Sequence, residues 1–363
     1  MIVKARKAAF VGLAAAGVIA MLAGCGSAPS SNSTTAAAKS KFLPCIVSDQ
    51  GGFNDRSFNQ LGLEGVQEAA QKLGTSYKKV QSKSANDYSP NIKSLIAQGC
   101  NMIVASGFNL VAPVKAAAAA NPKVNFVMID DNSITAPNVK PVVFETDEAG
   151  FLAGYASASY SKTGIIGTYG GQKLPSVTIF MDGIADGVKY YDQQKGKDVK
   201  VIGWDVATQD GQFTNSFTDL NISKTIATTM LGQNADILAP IGGPIYQGAG
   251  AAIKASGKSV ALIGNDADVF LTDQSGFKDL FLTSIMKNIK PTVAAILEAT
   301  GAPGATFDNS QYVGTLKNDG VGIAPFHSFE SKVDPGLQAE LDKIKASIID
   351  GTIKVESPSG FNK

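Results

Sequence analysis

The sequence of 363 residues carries 32 Lys+Arg against 31 Asp+Glu and a single histidine, a formal net charge of +1, with 44% of its residues hydrophobic. A balance this even excludes the basic surface that nucleic acid requires, and one histidine, His327, removes most metal clusters and makes a Ser-His-Asp hydrolase hang on one C-terminal residue. Arginine occurs only as Arg6 and Arg56, so the guanidinium fork that grips phosphates and carboxylates is scarce and a neutral or weakly charged ligand is favoured.

Taken in chain order, Lys4, Arg6 and Lys7 precede an apolar run from Ala8 to Ala23 that closes on Leu22-Ala23-Gly24-Cys25. The run is shorter than the roughly 20 residues of a spanning helix, and the pattern predicts a lipoprotein signal peptide over 1–24 with lipid on Cys25. Removing it takes three of the 32 basic residues, leaving 29 against 31 acidic and a net charge of −2. Residues 25–41 are rich in Ser, Thr and Ala without an apolar period, which predicts a flexible tether.

From residue 42 short β-branched runs alternate with helical patterns, the signature of α/β architecture with parallel sheets. Strands are predicted within 42–49, 76–83, 101–107, 124–131, 140–146, 164–171, 199–204, 235–243 and 259–266. Helices are predicted over 57–73, 110–120, 147–161, 174–194, 217–232 and 244–256. Nine strands exceed one comfortable core, so two doubly wound lobes with a ligand cleft between their strand ends are expected. The seam falls at 146–150, where Gly150 and Gly154 leave room for close helix packing. The first lobe is expected to comprise 42–146 plus about 269–300, with 267–290 irregular, and the second 147–268 plus about 301–363. Cys45 and Cys100 each open an apolar run; they are either a disulfide, if their strands are neighbours, or two buried thiols.

Polar groups recur at the predicted strand ends: Asp49, Ser106 with Asn109, Asp130 with Asp131, Gly242-Gly243, and Asp266 with Asp268. Carboxylates so placed suit a ligand rich in hydroxyl or N–H donors, and Phe58, Phe213 and Phe217 are candidates to stack on a planar ring. Ser57-x-x-Gln60 has the capping-box pattern, opening a helix that buries Phe58, Leu61, Val66, Ala69 and Leu73. Two near-misses are set aside. AIKASGKS (252–259) has Ala252 where a phosphate loop needs glycine and precedes a strand. The Asp266-Ala267-Asp268 segment continues without the glycine and final glutamate of a calcium loop.

The lipobox, SDQGGFNDRSFNQLGLEG, ETDEAGFLAG, SFTD, IGGPIYQGAG, IGNDAD and TSIMKN together resemble the basic membrane protein family of substrate-binding lipoproteins, which includes purine nucleoside receptors. The resemblance runs from about residue 42 to the C-terminus. It implies a type I periplasmic-binding-protein fold, no enzymatic activity, no cofactor and no metal, with a permease of the ABC class as partner. Carried over to this chain, Asp49 reads the base edge with Asn54 and Asn59 beside it, and Phe58 and Phe217 sandwich the base. Asp130 also bonds the ligand, Asp266 or Asp268 with Lys287 holds the ribose hydroxyls, and the backbone of Gly242-Gly243 lines the pocket. The expectation is therefore a monomeric, lipid-anchored receptor outside the cytoplasmic membrane that closes on a purine nucleoside. A sugar ligand, a nucleoside hydrolase that would need a bound cation, and a tethered sensor stand as alternatives.

Overall fold

The computed structural model describes residues 42–361; the signal peptide, the lipidation at Cys25 and the tether expected from sequence lie outside the described residues. In chain order the first half runs β1 (Pro44–Val47), α1 (Phe58–Lys72), β2 (Lys78–Val80), α2 (Tyr88–Ala97), β3 (Met102–Ser106), α3 (Val111–Ala120), β4 (Asn125–Ile129) and β5 (Val139–Phe144). The second begins with α4 (Thr146–Tyr160), β6 (Ile165–Gly170), α5 (Pro175–Lys195), β7 (Lys200–Ile202) and the small hairpin β8 (Trp204–Asp205) and β9 (Asp210–Gly211). It continues through α6 (Leu220–Gly232), β10 (Ile237–Ile241), α7 (Tyr246–Ser256), β11 (Ala261–Asp266), α8 (Val269–Thr272) and β12 (Phe281–Lys287). The chain ends with α9 (Ile289–Gly301), β13 (Tyr312–Gly314), β14 (Val321–Ile323) and α10 (Leu337–Ile349).

Two six-stranded sheets result, in the orders β13-β5-β4-β3-β1-β2 and β14-β12-β11-β10-β6-β7. All pairings are parallel except β12 with β14. Central strands such as Met102–Ser106 and Ile237–Ile241 are buried throughout, which explains their near-continuous apolar sequence, since helices cover both faces. The nine predicted strands are all present. Gly257 in the left-handed conformation ends α7 before β11, so the phosphate-loop near-miss is a helix-to-strand turn.

The expected division of the chain needs correction. Phe281–Lys287, placed in the irregular stretch of the first lobe, is a buried strand of the second sheet, paired to β11. The chain regains the first sheet only with α9, where Gly65 of α1 lies so close that an added Cβ would stand 2.6 Å from the Lys290 carbonyl oxygen. β13 then joins the first sheet and β14 the second, dividing the 301–363 tail that was expected in one lobe.

Three crossings therefore link the sheets among the described residues: after β5, after β12 and between β13 and β14. They are tied to one another, since the Glu145 N–H donates to the Gly314 carbonyl, the Asn288 N–H to Gly320 and the Leu316 N–H to a Glu148 oxygen. Beside them α4 packs on α5 through glycines on both helices. A Cβ on Gly154 would lie 2.2 Å from the Ile184 carbonyl oxygen, and one on Gly187 2.0 Å from that of Phe151. The expected close packing at Gly150 and Gly154 is thus present, with Gly183 and Gly187 as its counterpart. Cys45 and Cys100 are disulfide-bonded with Cα atoms 6.0 Å apart, closing 55 residues of chain. In the chain-entropy model a loop of that length contributes about 4 kcal/mol.

Candidate ligand-binding site

The carboxyl ends of both sheets face one cleft that encloses about 520 Å³ of space, open solvent included. From the first sheet come Asp49, Gly51, Asp55, Phe58 and Asn59 after β1, Gly107 to Asn109 after β3, and Asp130 after β4. The second contributes Phe180, Phe217, Gly242-Gly243, Asn265, Asp266 and Lys287 among others.

The turn after β1 is built on Asp55. Its carboxylate accepts from the N–H groups of Ser57, Asn59 and Gln60 and from Asn59 Nδ2 at 2.7–3.1 Å. Asp55 therefore caps α1, and the capping box expected at Ser57 and Gln60 is absent. Ser57 turns away because its hydroxyl reaches the second sheet, 3.0 Å from the Asn265 carbonyl and from Asp266 Oδ2. The buried stripe of α1 is correspondingly shifted to Leu63, Val66, Ala69 and Ala70, leaving Phe58 half-exposed toward the cleft. Asp49 is held by Asn59 Nδ2 at 2.8 Å and the Gly51 N–H at 2.9 Å, both on Oδ1. Burial pushes its carboxyl up to about 7 against the pull of those two bonds.

At the other end Lys287, 3% exposed, sits between sheets. Its ammonium is 2.9 Å from Asp130 and 3.8 Å from Asp266, and it faces the rings of Phe180 at 4.9 Å and Phe58 at 5.4 Å. Burial raises Asp130 above the usual carboxylate range, and Lys287 opposes it. Asp130 and Asp266 end equivalent strands of the two sheets, and both adopt positive φ, 69° and 65°. Such conformations cost of order 1–3 kcal/mol and gather at functional sites.

Phe217 precedes α6, which begins three residues later with Asp219 as its cap, and so lies in a loop where a helix was expected. Its ring is laid against backbone: a Cβ on Gly171 would meet it at 2.4 Å and one on Gly242 at 3.0 Å. Across the cleft Asn109 Nδ2 donates to Gln172 Oε1 at 3.0 Å, and the Thr272 hydroxyl to the Arg56 carbonyl at 2.7 Å. The sheets thus meet around the cleft as well as at the crossings.

A family model described as ABC transporter substrate-binding protein, PnrA-like (Bmp), matches residues 43–357. The chain belongs to that family. It is 34% identical over 357 residues to the ABC transporter nucleoside-binding protein BmpA of Lactococcus lactis subsp. cremoris, covering 93% of this chain and 95% of the relative. It is 29% identical to basic membrane protein A of Borreliella burgdorferi, covering 85% and 86%. Among solved structures, an ABC transporter solute-binding protein of Aeropyrum pernix K1 superimposes with a TM-score of 0.77 at 22% identity, over 88% of this chain and 95% of that one. The fold is that of type I periplasmic binding proteins, and this Bmp-family chain is a substrate-binding component of an ABC transporter, not an enzyme.

Of the residues singled out from sequence, Asp49, Phe58, Asn59, Asp130, Phe217, Gly243, Asp266 and Lys287 line the one cleft. Asn54 does not; it is exposed on the turn, because Asp55 takes the inward position. Asp268 does not line it either: Oδ2 is 2.8 Å from His327 Nε2, and that imidazole stacks on Phe270 at 4.1 Å. Of the two strand-end aspartates left open, Asp266 is the one in the cleft. Phe213 lies edge-on to Trp204, outside the lining. Sequence reasoning missed Phe180, hidden in the apolar run of α5, and Asn265. It passed over Asp55 although its motif contained it.

Proposed function

We propose that this substrate-binding protein captures a nucleoside, purine preferred, and presents it to an ABC permease from a lipid anchor at Cys25, working as a monomer. The observation that carries the reading is a cleft with an aromatic from each sheet, Phe58 and Phe217, and a charged end built of Asp130, Asp266 and Lys287. A planar base between two rings and a sugar whose hydroxyls bond carboxylates and an ammonium use both ends at once. The name of the Lactococcus lactis relative, a nucleoside-binding protein, points the same way. Closure follows from differential affinity: a ligand touching both sheets favours the state in which they meet. The two lobes would be the sheets with their helices, α9 moving with the first and α10 with the second.

The test is a thermal-shift titration of the full-length chain, freed of co-purified ligand, against adenosine, guanosine, inosine, uridine, cytidine, ribose, glucose and adenine. A ligand bound only by the native state raises its stability by mass action. Saturable stabilisation by nucleosides, with ribose and adenine each ineffective alone, is expected. Stabilisation by glucose or ribose only would replace the nucleoside by a sugar.

A further inference from the structure

Two hydrogen bonds join the loops of one sheet to those of the other through residues that stand mostly outside the cleft lining. The Thr272 hydroxyl, at the end of α8, donates to the Arg56 carbonyl in the turn after β1 at 2.7 Å. Asn109 Nδ2, after β3, donates to Gln172 Oε1, after β6, at 3.0 Å. Arg56, Gln172 and Thr272 do not line the cleft; Asn109 alone of the four does. The strands β1, β3 and β6 lie beyond the midpoint of their sheets, counted from the strands that carry the crossings. Opening about the crossings therefore draws these loops apart and breaks both bonds.

Each partner is fixed by its own lobe before the two meet. The Asp55 carboxylate accepts from the Ser57 N–H and so spans Arg56, which takes φ 62°. That conformation is unfavourable for a residue with a side chain, and in it the Arg56 carbonyl meets the Thr272 hydroxyl. On the other side α8 is pinned by the Val269 N–H to Ser284 Oγ at 3.1 Å, and its flanks by Asp268 to His327 at 2.8 Å and by the Tyr246 hydroxyl to Asp273 at 2.9 Å. The backbone around Gln172 is tied by the Gly171 N–H to the Ile241 carbonyl and by the Leu174 N–H to the Gln172 carbonyl. Groups held in place beforehand lose little freedom on meeting.

We propose that Thr272 and Gln172 are latch residues: by bonding Arg56 and Asn109 in the closed state alone they set the closing equilibrium, and with it how strongly any ligand is held, without a part in choosing the ligand. This rests on the lobe closure of the reading above and not on the identity of the ligand. A residue that lines the cleft changes the ranking of ligands. A residue that acts only on closure multiplies every dissociation constant by one factor, because the apparent affinity scales with the closed population. It acts after the encounter, so the association rate stands and the dissociation rate carries the change. Thr272 is the cleaner case, since neither it nor Arg56 lines the cleft.

The experiment measures binding of adenosine, guanosine and inosine by titration calorimetry, and release of tritiated adenosine in a chase, on the full-length chain and on its Thr272→Val, Thr272→Ser, Gln172→Ala and Thr272→Val/Gln172→Ala forms. Thr272→Val is expected to weaken all three nucleosides by one common factor, roughly threefold to tenfold for the loss of one such bond, with faster release and an unchanged association rate. Thr272→Ser, which keeps the hydroxyl, is expected to match the wild type. The double variant is expected to multiply the two single effects, since the bonds share no partner. A factor that differs among the nucleosides for Thr272→Val overturns the proposal, as does unchanged affinity in both single variants. Small-angle X-ray scattering of the ligand-free chains accompanies the titrations, with a larger radius of gyration expected for the double variant. Absence of binding by every nucleoside overturns the nucleoside reading, and the scattering then decides the latch alone: an unchanged radius of gyration overturns it.

Discussion

Lys287 shows how single residues in this cleft serve both ligand and frame. Its ammonium is almost wholly removed from water and holds carboxylates that end strands of different sheets. Deleting one partner leaves a buried charge under-compensated, which costs roughly 3–5 kcal/mol. Asp130→Ala is therefore expected to lower stability by about 3 kcal/mol, with Asp266 limiting the loss; urea unfolding of the ligand-free protein measures it, and an unchanged midpoint would dissolve the frame role. The two rings behave differently. Phe58 and Phe217 are half-buried at the edge of the core rather than within it, so Phe58→Ala and Phe217→Ala should lower the urea midpoint less than Asp130→Ala does. Each should weaken nucleoside binding roughly tenfold, the scale of one stacked pair together with its lost burial. Normal binding by either variant would remove stacking from the mechanism.

At the scale of elements, the alternation of strand and helix was legible because both faces of each sheet are covered, which writes apolar runs into the sequence. Phe281–Lys287 escaped because its approach, Asp273 to Asp279, is polar and turn-rich, and a seven-residue buried strand has no period to betray it. The cap of α1 misled for a different reason: Ser57 fits the local pattern, but its hydroxyl is claimed by Asn265 and Asp266, more than 200 positions away in sequence. Tertiary claims of this kind leave no local trace. The glycines of α4 and α5 did leave one, and they carry a sharp expectation. Gly187→Ala brings a methyl group to within 2.0 Å of the Phe151 carbonyl oxygen, and the helices must separate. A loss of about 3 kcal/mol is expected from such overpacking, seen as a lowered urea midpoint. Gly232→Ala in α6, where a Cβ meets nothing within 4 Å, serves as the control that leaves the midpoint unchanged or raises it, since alanine is the better helix former.

For the molecule as a whole, most of the cleft could be named from sequence because its residues sit at strand ends, where the fold class itself predicts a site. What remained hidden was which of several polar neighbours turns inward, as with Asp55 over Asn54 and Asp266 over Asp268. The same burial sets the pH response of stability. Asp49 is raised to about 7 and Asp147 to about 8, in both cases chiefly by burial and, for Asp147, also by Glu145 and Glu148 nearby. A carboxyl raised in the folded state keeps its proton after the unfolded chain has lost one. Its contribution is full below the unfolded value and is lost as pH climbs through the folded one. The ligand-free protein is therefore expected to melt at lower temperature at about pH 8.5 than at about pH 5.5, and Asp147→Asn to flatten that slope. A melting temperature that rises with pH would contradict both assignments.

The three crossings between the sheets, laced by the bonds from Glu145, Asn288 and Leu316, have a mechanical reading. Parallel ribbons clamped side by side form a leaf-spring flexure, compliant about one axis and stiff against twist and shear. Motion of such a joint reduces to a single angle. A permease that gauges only the separation of two points on the surface would then learn whether the interior is occupied, without touching the cargo.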